Sequence, residues 1–134
     1  VNGRPLNEVP AVELVNSMVT RVIECRYGDG SLAALQLVFA GGRSVVLTVW
    51  IDWVLVVDSR GDDALPDYLW PPETIGVRDL ISGLPPEGAP IESVHESRSE
   101  YDDLVELEFI LHGHRIKAGM WAGDLTLDVQ DREV

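Results

Sequence analysis

Apolar and polar positions set out two series of short strands in this chain. Leu35-Gln-Leu-Val-Phe39 and Val105-Glu-Leu-Glu-Phe109 stand 70 residues apart. One residue later the offset becomes 71, and Gly42-Arg-Ser-Val-Val-Leu-Thr-Val-Trp50 falls on Gly113-His-Arg-Ile-Lys-Ala-Gly-Met-Trp121. Beyond that, Val54-Leu-Val-Val57 matches Leu125-Thr-Leu-Asp128. Self-similarity at a fixed spacing predicts one structural unit used twice. The first copy reads as strands over 20–27, 31–40, 44–51 and 53–58, punctuated by Tyr27-Gly-Asp-Gly30 and Gly41-Gly42-Arg43. The second reads as strands over 91–98, 102–111, 114–121 and 124–129.

A helix is expected before each series. Asn7 can cap one that takes Pro10 in its first turn and runs to about Met18. Thr74 can cap a second that stops at Gly83, with Pro85-Pro86 forbidding its continuation. The expected fold is therefore α+β: two copies of a helix plus a four-stranded antiparallel meander, packed about a pseudo-twofold axis. Residues 1–134 form one domain, with repeats over about 7–58 and about 74–129 joined by a loop, 59–73.

The hairpins carry their own register. A two-residue loop at His112-Gly113 sets Phe109 opposite Ile116, Leu107 opposite Ala118 and Glu108 opposite Lys117. The apolar pairs then share one face and the charged pair takes the other. In the first copy Phe39 is expected opposite Val45 and Leu37 opposite Leu47, leaving Val38, Val46 and Trp50 on the second face. The first copy thus reads as apolar on both faces and the second as wet on one. Something must cover the extra apolar face. A helix is the expected cover, and a second copy of the chain, in a homodimer through the first sheet, is the alternative.

Charge changes the picture in one region. The net charge is −13, yet residues 58–108 hold 14 acids and three bases, and the flanking segments are near neutral. A one-sign region repels nucleic acid and anionic lipid and attracts basic partners. Part of it lies in the loop, where Asp62, Asp63 and Asp67 accompany Tyr68 and Trp70. Another part lies at Glu100-Tyr101-Asp102-Asp103. Aromatic side chains among carboxylates suit anchors on a protein partner, and these nine residues are the candidate partner-binding set. For Leu69 and Trp70 the competing reading is a plug in the core between the copies, and for Trp70 that reading is preferred.

Catalytic and metal motifs are absent from the pattern. His112 and His114 flank a turn without a third ligand at zinc spacing, and His95 lies in a different hairpin. Cys25, the only cysteine, sits in an apolar strand beside Glu24, where a lowered thiol pKa is not expected. No Gly-x-Ser-x-Gly elbow and no phosphate-cradling glycine loop before a helix occurs. No cofactor, metal or enzymatic activity is expected. A single cysteine, no signal-peptide pattern at the N-terminus and no apolar run of membrane-spanning length point to the cytoplasm.

The two hairpins, Leu35-x-Leu-x-Phe39…Gly42-x-x-Val45-x-Leu47 and Val105-x-Leu-x-Phe109…Gly113-x-x-Ile116, resemble a pattern of small bacterial proteins. The segments Leu14-Val15-Asn16 and Leu80-Ile81-Ser82-Gly83 before them fit it as well. Many such proteins are similar to the immunity proteins of polymorphic toxin systems. That resemblance implies a protein-binding inhibitor whose acidic surface blocks a basic toxin or nuclease domain. It supplies no functional residues to carry over. The alternative is a small-molecule binder or enzyme with a cleft between the repeats, for which Trp50, Trp53, Trp121 and His95 are the residues to suspect.

Overall fold

The computed structural model describes residues 8–50 and 54–131. It holds nine antiparallel strands: β1 (Met18–Arg26), β2 (Leu32–Phe39), β3 (Ser44–Val49), β4 (Leu55–Arg60), β5 (Gly76–Asp79), β6 (Ala89–Arg98), β7 (Leu104–Leu111), β8 (His114–Trp121) and β9 (Asp124–Asp131). Their order in the sheet is β4-β3-β2-β1-β6-β7-β8-β9, with β5 against β1. The expected meanders are present, one before and one after β5. They are joined where Met18 and Val19 pair with Pro90 and Ala89.

Neither helix forms, so the α+β expectation gives way to an almost all-β fold. The first helical segment is a single 3-10 turn, Ala11–Leu14, after Pro10. Val15 is extended, and Asn16 turns the chain at φ 71° while its N–H reaches the Ile91 carbonyl. So short a stretch, with Val12, Val15, Asn16 and Ser17, has neither the length nor the propensity to hold a helix. The proposed cap Asn7 lies outside the described residues. In the second copy Pro72–Thr74 is one 3-10 turn, and the residues that follow it become β5. β6 accompanies β1 only at its start, so the backbone of Ile23–Arg26 needs another partner. Asp79, Arg78, Val77 and Gly76 pair with those residues, and Gly76 and Val77 favour that extended state over a helix.

The second hairpin has the expected register, with Phe109 opposite Ile116, Leu107 opposite Ala118 and Glu108 opposite Lys117. The first is shifted by two residues, pairing Leu37 with Val45 and Leu35 with Leu47. Its loop is closed by the Phe39 N–H on the Arg43 carbonyl, with Gly41 and Gly42 at φ 97° and 92°. A slip of two leaves every side chain on its own face, so alternation cannot detect it.

The registers of β1–β2 and β6–β7 coincide pair for pair at a separation of 72 residues. Val19–Phe39, Val22–Leu37 and Arg26–Leu32 correspond to Ile91–Leu111, Val94–Phe109 and Arg98–Leu104. Both hairpins also break register at equivalent places, after Val19 and Ile91 and after Cys25 and Ser97. The structural counterpart of Phe109 is thus Leu37, rather than the Phe39 suggested by the sequence offset of 70.

The meanders pack face to face with reciprocal contacts, β4 on β7 and β9 on β2. Val22, Leu35, Leu37, Leu47 and Val57 meet Ile91, Leu107, Phe109, Leu111 and Ile116 in the main core. Close-packed apolar side chains therefore fill the space between the sheets. A second core, with Ile23, Cys25, Ala34, Val38, Val46 and Leu69, lies on the outer face of the first meander. The chain's own loop packs on that face through Leu65, Tyr68, Leu69 and Ile75, where a helix was expected. Among the described residues no helix is long and apolar enough to cross a membrane.

Candidate functional site

The nine candidate partner-binding residues separate into two groups. Asp62, Asp63, Asp67, Tyr68 and Trp70 lie on the loop over the first meander, while Glu100, Tyr101, Asp102 and Asp103 form the β6–β7 turn.

In the loop group the backbone is anchored and the carboxylates are exposed. Three polar side chains buried on the outer face hold it. The Ser44 hydroxyl donates to the Asp62 carbonyl at 2.6 Å, and the Gln36 amide donates to the Asp63 carbonyl at 3.0 Å. Asp58, fully buried, accepts from the Tyr68 hydroxyl at 2.6 Å and pairs with Arg60 at 3.1 Å. The Trp50 ring meets Tyr68 edge-on with centroids 5.3 Å apart. Burial and the adjacent Asp58 carboxylate push the Tyr68 phenol well above its ordinary pKa. Tyr68 is thus committed to holding the loop. The core-plug reading of Trp70 fails: Leu69 turns into the second core and Trp70 is left 71% exposed. The loop turns at Pro66–Leu69, where Leu69 N–H bonds the Pro66 carbonyl.

The turn group differs. Arg98 bonds the Asp102 carbonyl at 2.9 Å, and Ser99 Oγ accepts the Asp103 N–H, so the turn itself is fixed. Its side chains point out, with Tyr101 79% exposed. In an antiparallel meander the first and third turns share one end, so the β8–β9 turn lies on the same side. That turn presents Trp121, 76% exposed, and Asp124. Two strand spacings of about 4.8 Å place the two turns roughly 10 Å apart. Two large aromatics and the exposed acids Glu100, Asp102, Asp103 and Asp124 therefore share one end of the second meander.

The suspects for a cleft between the repeats do not converge on one. Trp50 packs on Tyr68, Trp121 stands in solvent, and His95 is exposed on the outer face of the second meander opposite Glu108. Trp53 lies outside the described residues. A cleft of about 420 Å³ is present elsewhere, beside β5, where Glu24, Arg26 and Arg78 meet Tyr27, Thr74 and Val77. Sequence reasoning missed this group: Glu24-Cys-Arg26 recurs as Glu96-Ser-Arg98 at the structural separation of 72, but Arg78 joins it only through the pairing of β5 with β1.

Other chemistry-bearing groups are accounted for by packing. Burial, and then the neighbouring Glu24, push the Cys25 thiol up to about 11, which makes it a poor nucleophile. His114 bonds Asp131 across β8–β9 at 2.6 Å. Among the described residues no three His, Cys, Asp or Glu side chains are grouped to hold a metal ion. Compared with protein-family models, characterised proteins and solved structures, the chain gives no match.

Proposed function

We propose that this chain is an acidic protein-binding domain built by internal duplication, acting as an immunity-type inhibitor of a basic toxin or nuclease domain. The observation that carries the reading is the end of the second meander. Tyr101 and Trp121 stand in solvent there among Glu100, Asp102, Asp103 and Asp124. Exposed large aromatics concentrate binding energy when a partner desolvates them, and surrounding carboxylates steer a basic partner while repelling nucleic acid. Trp70 and the exposed acids of the loop offer a second patch of the same chemistry on the first meander. The coincident register and bulges of β1–β2 and β6–β7 support the duplication.

The test is comparative capture from the native organism, using the wild-type chain, a Tyr101→Ala/Trp121→Ala variant and an Asp62→Lys/Asp63→Lys/Asp67→Lys variant. A basic protein is expected on the wild type, weakened by salt and lost with the aromatic variant at unchanged folding. Its catalytic activity is expected to fall on addition of the wild-type chain. If the same proteins remain bound to both variants, the reading is wrong.

A further inference from the structure

We infer that the cleft beside β5 is a binding site for a small carboxylate that carries a flat apolar group. The inference stands apart from the protein-binding reading, because it uses different residues.

Its floor is a carboxylate. The Glu24 side chain is 5% exposed and holds two guanidiniums, Arg26 at 3.3 Å and Arg78 of the neighbouring strand. Arg26 is fixed a second time by the Gly30 carbonyl at 2.8 Å. Arg78 meets Glu24 through Nη2, and its side chain, 73% exposed, leaves guanidinium donors open to a planar acceptor. Two guanidiniums over one carboxylate leave one positive charge uncompensated in a chain of net charge −13. The next acid along β5, Asp79, is already engaged by Arg21 through two contacts of 3.0 and 3.2 Å. The walls are Tyr27 and Val77, the latter an exposed apolar side chain in an edge strand. A volume of about 420 Å³ is the size of an ordinary small-ligand pocket.

The second meander is the internal control. Glu96 and Arg98 repeat the pair at 3.0 Å, and Arg98 bonds the Asp102 carbonyl as Arg26 bonds Gly30. Among the described residues no second arginine meets that carboxylate, whose side chain is 27% exposed. The adjoining cleft is lined by Glu8, Asp102 and Asp103, so it is acidic. The Glu-x-Arg pair braces a turn in both meanders; among the described residues the extra arginine joins it in the first alone.

Benzoate is the probe, titrated into isotopically labelled protein at constant ionic strength, with benzamide and inorganic phosphate as comparison arms. Saturable shifts of the Gly28, Gly76 and Val77 amides are expected with benzoate, with benzamide at least tenfold weaker and phosphate not saturating. Arg78→Gln is expected to weaken benzoate at least tenfold, Arg78→Lys to restore part of the loss, and Arg98→Gln to change nothing. Val77→Asp, which places a carboxylate in the cleft, is the second variant and is expected to abolish binding. No saturable benzoate shift, equal response to benzamide, tighter binding of phosphate, or undiminished binding in Arg78→Gln and Val77→Asp would each overturn the assignment.

Discussion

The two meanders repeat one register yet meet solvent in opposite ways. In the first, β2 and β3 are buried almost end to end on both faces, whereas β7 in the second alternates between buried and half-buried residues. The difference lies in the outward positions. Val46 and Asp58 on the first meander are answered by Lys117 and Asp128 on the second. The first face needs a cover and receives the loop; the second is wetted by Glu108, Lys117 and Arg115, which pair with one another at 3.7 and 3.9 Å. One backbone plan thus supports a closed face and an open one, and the open meander is free to present Tyr101 and Trp121.

The largest effect expected from breaking this contrast is at Leu69. Leu69→Ala empties a position in the second core and should cost about 2–5 kcal/mol in urea unfolding, while the adjacent Trp70→Ala should stay within about 0.5 kcal/mol. Equal effects would mean that the loop does not seal the face.

Alkali tests the same core. The Cys25 thiol is raised from 9.0 to about 11 on folding, and the Tyr68 phenol is raised too. A raised pKa means that the folded state holds its proton more tightly. The associated stability is fully present below about pH 9 and is lost as pH rises through about 11, up to roughly 3 kcal/mol for Cys25. Cys25→Ala should flatten that part of the pH profile, and an unchanged slope would put the thiol elsewhere.

A smaller loss is expected from Tyr68→Phe, which removes one donor from buried Asp58 while Arg60 remains. About 1–2 kcal/mol is the expected cost, against no measurable change for Tyr101→Phe at the open end. Thermal melts of the two variants side by side measure the difference.

The strands were legible because alternation and turn residues act locally: Gly41-Gly42 and His112-Gly113 mark the hairpins whatever surrounds them. The helices were misread for a related reason. Gly76-Val77-Arg78-Asp79 has a capping threonine before it and a stop after it, but nothing local records that β1 lacks a partner beside it. The acidic and aromatic candidates were found as residue types, while their roles depended on direction. Tyr68 and Trp70 are two residues apart, yet one anchors to Asp58 and the other stands in solvent.

By itself, the sequence determined the number of meanders, the pairing in the second hairpin, the dry and wet faces and the place of the excess charge. Each follows from side-chain alternation or composition, which need no partner in space. Only the tertiary structure decided the rest: that two segments read as helices are a 3-10 turn and an edge strand, that the loop covers the first sheet, and that β1–β2 recurs in β6–β7 at 72 residues. It also brought Arg78 onto Glu24 and set Tyr101 and Trp121 on one end. Those outcomes depend on which backbone groups and buried charges remain unsatisfied once the strands have paired, and that is settled between segments distant in the chain.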